Sequence, residues 1–283
     1  MNIYPIEAGN FKLDGGAMFG VIPKSLWQRT NPSDSDNLIE MSSRCLLVEN
    51  GNKLTLIDAG MGDKQSEKFF SFYKRSGDYD LVSSIKSAGF STDDITDVLL
   101  THLHFDHCGG ASIKNNFGKN EVLFKNAEYW SNQKHWDWAT TPNPREKASF
   151  LHENLSPIKE SGQLNFITAK KDGFNFYEEI GFEIMFVDGH TEKQMIPKLN
   201  YKNQEIVFAA DLIPTAGHIP IPYLMGYDVR PLLTMKEKKL FLDDAEKNNW
   251  LLFLEHDPYN EVVSLKKTDK GVRLNGSYSF KEL

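Results

Sequence analysis

The segment from Thr101 to Gly110 reads THLHFDHCGG and sets three histidines and one carboxylate within six positions, 102 to 107. The whole chain of 283 residues holds only 8 histidines, so this is a concentration of ligand groups rather than a scatter of polar residues in a surface loop. Neutral imidazole and carboxylate are the groups that hold zinc and other first-row divalent ions. In an extended segment, alternation puts His102, His104 and Asp106 on one side. A tightening loop brings His107 round to join them, and Gly109-Gly110 lets the backbone turn sharply there. The cluster follows directly on Asp97-Val98-Leu99-Leu100-Thr101, a short apolar run that reads as a buried strand. The fold must therefore carry a metal-binding rim at the end of a sheet strand.

The rest of the chain alternates strand-like and helix-like segments, an α/β pattern. Residues 44–49 and 53–58 flank Asn50-Gly51-Asn52 and predict a hairpin. Residues 81–88 predict a short helix that Gly89 ends. Further buried strands are expected over 97–101, 182–187, 205–210 and 250–255, each running into His or Asp. Polar residues just past strand C-termini share one rim, where α/β sheets place ligand sites. That rim offers His190, Asp211 and His256. Each alone reads as an ordinary solvated or capping residue; with the first cluster they make five histidines and two aspartates, a set suited to two metals. Residues 126–160 differ in character, holding Trp130, Trp136 and Trp138 and the Pro142-Asn143-Pro144 break. They predict a helical insertion rather than core sheet, on a single domain spanning 1–283.

On these residues the chain resembles the metallo-β-lactamase superfamily with its dinuclear ligand set. The His-x-His-x-Asp-His motif is His102, His104, Asp106 and His107, and His190, Asp211 and His256 follow in the family's order. The resemblance implies a four-layer αβ/βα sandwich. It also implies that His102, His104 and His190 hold one metal, that Asp106, His107 and His256 hold the other, and that Asp211 bridges them. Asp58, in Leu56-Ile57-Asp58-Ala59-Gly60, would orient a ligating imidazole from outside. The cofactors implied are two divalent ions, zinc by default, with Mn, Fe or Co accepted by the same ligands. Zinc β-lactamases lack a histidine at the position of His107 and use cysteine near that of Asp211, and the diiron branch has glutamate in place of His104. Asp211 to Pro220, Met225-Gly226-Tyr227-Asp228 and Asn143-Pro144-Arg145 are similar to the branch of N-acyl-homoserine lactonases and methyl parathion hydrolase. Lactonases of that branch carry a tyrosine three residues after the bridging aspartate, where this chain has Pro214.

The expected function is thus hydrolysis of a small ester-like substrate, most readily a lactone such as an N-acyl-homoserine lactone, by a metal-bridging hydroxide, with Asp106 as proton shuttle. Phosphotriester, phosphodiester or thioester hydrolysis is the alternative, and a non-catalytic metal-binding protein a further one. His218 and Tyr223 are candidates for the role left vacant at Pro214, with loop packing as their bland reading, and Tyr227 is similar. The three tryptophans are candidates for an apolar pocket wall, and equally for core packing or a homodimer contact. His135 and His152 are read as solvated or capping residues. Lys plus Arg is 32 against 39 Asp plus Glu, a formal charge of −7. That balance, with no basic tract, argues against a nucleic-acid partner. Two cysteines make no disulfide framework. No leader peptide and no apolar run near the roughly 20 residues of a membrane helix are read in the sequence, so a cytoplasmic location is expected.

Overall fold

A computed structural model describes residues 1–77 and 80–283. The chain opens with two long antiparallel strands, β1 (Asn2–Asp14) and β2 (Leu38–Asn50), returns through β3 (Lys53–Ile57) and adds β4 (Asp97–Leu99) parallel to β3. A separate small hairpin is formed by β5 (Ser112–Lys114) and β6 (Asn120–Val122). With β7 (Glu128–Ser131) and β8 (Leu164–Phe166) the first sheet has the order β1-β2-β3-β4-β7-β8. The second sheet is built from β9 (Asn175–Tyr177), β10 (Phe182–Val187), β11 (Gln194–Tyr201), β12 (Gln204–Phe208), β13 (Leu251–Phe253), β14 (Val262–Thr268) and β15 (Gly271–Tyr278). These strands lie side by side in sequence order.

The helices are α1 (Gly15–Phe19), α2 (Lys24–Trp27), α3 (Glu67–Tyr73), α4 (Leu81–Ser87), α5 (Phe105–Cys108), α6 (Gln133–Thr140), α7 (His152–Glu160) and α8 (Pro231–Lys247). Strand alternation explains how the layers stack. On β2, Leu46 and Val48 face the second sheet and join one core with Ile184, Ile206 and Leu252. Their neighbours Cys45 and Leu47 point the other way, into a core with Leu81 and Ile85 of α4 and Leu155 and Ile158 of α7. Because both faces are buried, these strands read as nearly continuous apolar runs. Helix α8 lays Phe241, Leu242 and Ala245 on the second sheet. Helix, sheet, sheet and helix make the expected αβ/βα sandwich. None of the helices is long and apolar enough to cross a membrane, among the described residues.

The expected hairpin forms, with Asn50 paired to Lys53 so that Gly51-Asn52 is the turn and Gly51 has φ +63°. Helix α4 starts on the Asp80 side chain, which accepts from Ser83 N, and is followed by Gly89 at φ +95°. Residues 126–160 differ from expectation at their start. Glu128–Ser131 is a strand of the first sheet, parallel to β4, and only the remainder carries helices α6 and α7. Tyr129 and Trp130 are suited to a buried strand, and this apolar signal outweighs the polar residues that follow. Gly109-Gly110 also acts for a different reason than turn freedom. Gly109 is helical (φ −58°, ψ −43°), and a Cβ there would meet Met61 O at 2.0 Å, while one on Gly110 would meet Ala59 O at 2.1 Å. Both glycines are needed so that the 59–62 loop can lie against the ligand-bearing turn.

Candidate metal centre

The seven expected ligands come together, all buried. His102 and His104 follow β4, Asp106 and His107 lie on α5, and His190, Asp211 and His256 follow β10, β12 and β13. Since β11 is antiparallel to both β10 and β12, and β12 is parallel to β13, the last three strands deliver their C-terminal ends to one rim. Two ligand clusters result: His102, His104, His190 and Asp211, and beside it Asp106, His107 and His256.

The hydrogen bonds around the rings decide what the centre can hold. His107 Nδ1 lies 3.0 Å from Asp58 Oδ2, His190 Nδ1 lies 3.0 Å from Asp228 Oδ1, and His256 Nδ1 lies 2.8 Å from Ser42 O. Carboxylates and carbonyls only accept, so each of these nitrogens carries a ring proton and each Nε2 is a bare lone pair in the neutral ring, the form that ligates a metal. Against burial, the surrounding carboxylates favour the protonated form of all three rings as long as no metal takes that place. Thr101 Oγ1 donates its single hydrogen to Asp58 Oδ2 at 2.6 Å, and so must accept from His102 Nδ1 at 3.1 Å. His104 Nε2 faces Glu146 Oε1 at 3.4 Å, which leaves its Nδ1 bare. The bare nitrogens then confront one another: His107 Nε2 and His256 Nε2 at 3.0 Å, His102 Nε2 and His104 Nδ1 at 3.1 Å, His190 Nε2 and His104 Nδ1 at 3.2 Å. Lone pairs at these separations repel unless a cation sits among them.

Asp211 lies between the two groups. Its Oδ2 is 3.1 Å from His190 Nε2 and 3.9 Å from His102 Nε2, and its Oδ1 is 3.3 Å from His256 Nε2 and 3.5 Å from His107 Nε2. Oδ1 has no hydrogen-bond partner among the described residues. Protons are the only other positive charge available to it. Burial opposes protonation of His256, but Asp211 lifts it to about 9, whereas burial and the neighbouring imidazoles hold His102 well below its ordinary value. The donor set, five imidazoles that can each offer a lone pair and two carboxylates at a buried site, fits two divalent cations.

Several residues that support the centre were not foreseen. Glu146, Asp228 and Glu255 are buried carboxylates placed against His104, His190 and His107 respectively. Burial, with Asp58 alongside, pushes Glu255 up to about 8. His135, expected to be a solvated or capping residue, is fully buried and serves the backbone rather than solvent. Its Nε2 accepts from Leu103 N at 2.8 Å and its Nδ1 donates to Glu192 O, so a neutral ring braces the 102–104 loop against the His190 loop; burial pulls it down to about 3. Backbone strain collects here too, with positive φ at Asp58 (+56°) and Ala210 (+41°), a cost on the order of 1–3 kcal/mol each that the surrounding contacts must offset.

A cavity of about 320 Å³ opens on the centre, lined by His104, Asp106, His190, Asp211 and His256 on its floor and by Leu13, Met18, Met41, Phe105 and Met225 on its walls, with Tyr73, Arg145, Glu146, Ser149 and Tyr227 as further polar lining residues. His218 and Tyr223 are not part of it. His218 is buried, with Nδ1 2.8 Å from Thr215 Oγ1 and Nε2 donating to Met18 O at 2.8 Å, and its ring stacks on Phe19 at 4.2 Å. Tyr223 borders a different cavity with Leu26 and Pro220, because Lys238 Nζ holds the carbonyls of Pro220 and Tyr223 at 2.9 and 2.7 Å and turns that loop away. The tryptophans take their packing roles: Trp130 and Trp136 are in the cores, and Trp138 Nε1 donates to Glu146 Oε2 at 2.7 Å.

The sequence model of the Metallo-beta-lactamase superfamily matches residues 38–256. An N-acyl homoserine lactonase of Bacillus cereus is 24% identical over 166 residues, 55% of this chain and 57% of that protein, so the match spans less than two thirds of that relative. The N-acyl homoserine lactonase AiiA of Bacillus thuringiensis subsp. kurstaki is 21% identical over 269 residues, 90% of this chain and 92% of that protein. Among solved structures, a probable metal-dependent hydrolase from Staphylococcus aureus superposes with a TM-score of 0.87 at 25% identity, covering 100% of this chain and 98% of that one. AidC, a dizinc quorum-quenching lactonase, superposes with a TM-score of 0.79 at 23% identity, covering 98% and 94%. With the family model spanning the ligand motif from β2 to His256, this chain belongs to the metallo-beta-lactamase superfamily.

Proposed function

We propose that the protein is a dinuclear metal-dependent hydrolase that opens a small lactone, an N-acyl-homoserine lactone or a close relative, in the cytoplasm, with zinc as the default metal. The observation that carries this reading is the convergence of five imidazole lone pairs, Asp106 and Asp211 on the floor of a cavity with apolar walls. Two divalent ions held there supply Lewis acidity, which polarises a carbonyl and brings the pKa of water towards about 7. His102, His104 and His190 would hold one ion and His107, Asp106 and His256 the other, with Asp211 between them.

The chain's own groups do the rest. Asp106 would hold an ion together with His107 and His256, and its carboxylate could also accept a proton from a water and pass it to the leaving oxygen. Tyr73 and Tyr227 line the cavity together with Asp106, whose charge acts on both phenols. Burial pushes both phenols up to about 12, so they remain neutral donors able to hold the substrate's leaving oxygen. The side chains of Leu13, Met18, Met41 and Met225 exclude water and receive the apolar part of the substrate. Two free buried cysteines, Cys45 and Cys108, suit a reducing compartment.

The test is a substrate panel on the metal-loaded enzyme: acyl-homoserine lactones, simple alkyl and aryl esters, a thioester, a phosphotriester and a phosphodiester. The expected result is a kcat/KM for a lactone at least tenfold above every other class. Tyr227→Phe should lower kcat on the alkyl lactone by about tenfold and leave an ester with a p-nitrophenolate leaving group almost unchanged. Preference for a phosphotriester, or equal losses on both esters, would count against the reading.

A further inference from the structure

His107 is held by two carboxylates where one would suffice. Asp58 Oδ2 and Glu255 Oε2 each lie 3.0 Å from its Nδ1. Asp58 is otherwise well provided for, since Thr101 N donates to Oδ1 at 2.7 Å and Thr101 Oγ1 to Oδ2 at 2.6 Å. Glu255 is not. It is fully buried, and neither of its oxygens has a well-aligned donor among the described residues. Arg44, the nearby guanidinium, is engaged by Glu7 Oε1 at 2.7 Å and by the carbonyls of Leu254 and Asp257 at 3.0 and 2.8 Å. A buried carboxylate left this way is costly. Among the described residues, the positive charge that can compensate it comes through the His107 ring, either as a ring proton or, in the loaded centre, from a cation ligated by His107 Nε2.

We propose that Glu255 is a positioning residue for the metal held by Asp106, His107 and His256, and that it tightens that metal selectively over its neighbour. The proposal rests on the two-metal reading of the centre. Glu255 lies two residues past the end of β13 and directly precedes the ligand His256, and its carbonyl accepts from Arg44 N at 3.1 Å and Ser42 Oγ at 2.6 Å. The side chain therefore has little freedom to leave the ring. A carboxylate on Nδ1 fixes the tautomer, holds the ring plane and makes Nε2 a stronger donor. By reciprocity, what the carboxylate does for the cation the cation does for the carboxylate. Glu255 should thus be a burden in the metal-free chain and an asset in the loaded one. Asp58, His107 and Glu255 also lie close enough to hold an ion of their own, but Asp58 is committed to Thr101 and the ring proton already occupies Nδ1.

The test is Glu255→Gln, which keeps shape and removes the charge, compared with the wild type as zinc-loaded full chain. Release of zinc to a chromophoric chelator is followed in time, and the unfolding temperature of the metal-free form is measured. Loss of such a partner typically weakens a metal by about 10–100-fold. The expected result is one equivalent leaving about 10–100-fold faster while the other keeps its wild-type rate, with the metal-free variant unfolding no lower than the metal-free wild type. Asp228→Asn, acting on His190, should accelerate the other equivalent. Unchanged release from E255Q, equal acceleration of both equivalents, or a lower unfolding temperature of the metal-free variant would each overturn the proposal. So would a third equivalent in the wild type that E255Q removes. If E255Q does not fold, Glu255→Asp, which withdraws the charge by one methylene, must show the same selective acceleration. A wild type that holds fewer than two equivalents would bring down the two-metal reading itself, and this proposal with it.

Discussion

Glu146 gives the most demanding prediction, because three hydrogen-bond donors and the His104 imidazole converge on one buried side chain. Oε1 accepts from Thr191 Oγ1 at 2.7 Å and faces His104 Nε2 at 3.4 Å. Oε2 accepts from Trp138 Nε1 at 2.7 Å and Asn143 Nδ2 at 2.5 Å. Burial works against its charge, but the His104, Thr191 and Asn143 contacts prevail and hold it at about 2. In Glu146→Gln only one oxygen remains. If it stays with Trp138 and Asn143, the new amide N–H groups point at Thr191 and His104. Thr191 can rotate and accept. His104 can accept only by moving its ring proton to Nδ1, the atom needed for the metal. Hydrogen bonds to charged groups are worth about 1.5–3 kcal/mol each, so losing one outright and weakening another costs about 2–4 kcal/mol. At about 2–4 °C per kcal/mol for a chain near this size, the unfolding temperature should fall by roughly 5–15 °C. The metal held by His104 should weaken about 10–100-fold. Calorimetry of the metal-free protein and chelator competition of the loaded one read the two effects separately. An E146Q protein within about 0.5 kcal/mol of the wild type (well inside that range) that keeps both metals would refute the account of His104's tautomer.

Two further outcomes follow from buried groups outside the cavity. Lys238 is buried, and burial lowers it from 10.5 to about 7. Between those values the unfolded chain holds a proton that the folded chain does not, so this group's contribution to stability rises with pH across that window; urea unfolding at pH 7 and 9 should show the rise in the wild type and lose most of it in Lys238→Met. His218→Ala should cost about 2–4 kcal/mol in urea, from the lost packing and hydrogen bonds, yet change kcat of the folded enzyme by less than about threefold. A hundredfold loss of kcat in a folded H218A protein would show that the ring takes part in the chemistry after all.

What was legible in the sequence was what lies close together along it. His102, His104, Asp106 and His107 announce themselves because strand end, turn and one helical turn bring them to one place within six positions. His190, Asp211 and His256 were readable because each ends an apolar run, and strand C-termini share a rim. The groups that fix the ring tautomers carry no such signal. Glu146 sits in a proline-broken segment whose position over His104 depends on where α6 and α7 pack, and Asp228 reaches His190 only because Arg230 N bonds Gly189 O at 2.9 Å and folds that loop back. Glu255 alone left a trace, as an acid closing the apolar run Trp250–Leu254 beside a ligand. For the role vacant at Pro214 the sequence offered His218, Tyr223 and Tyr227, and of these the cavity takes only Tyr227. Lys238 turns the loop at Tyr223 outward instead, and no feature of local sequence indicates that a lysine on α8 will cap the carbonyls of Pro220 and Tyr223.

The cavity wall therefore has a different origin from its floor. The floor is set by short-range motif geometry, whereas the wall is assembled where three distant segments meet at Gly226. Its N–H donates to Ala17 O at 2.7 Å, and a Cβ there would meet the same oxygen at 2.9 Å, so α1 lies against it as closely as glycine allows. Arg145, from the segment between α6 and α7, donates to Gly226 O from across the cavity. Tyr227 follows, placed by these two contacts rather than by the metal centre. Substitutions in α1, around Arg145 or at Gly226 can thus reshape what the cavity admits without touching a ligand, while those at Asp228 or Glu255 change metal retention without touching the wall, and Glu146, which lines the cavity, belongs to both. That separation is why a ligand motif specifies the reaction of such a chain well and its substrate poorly.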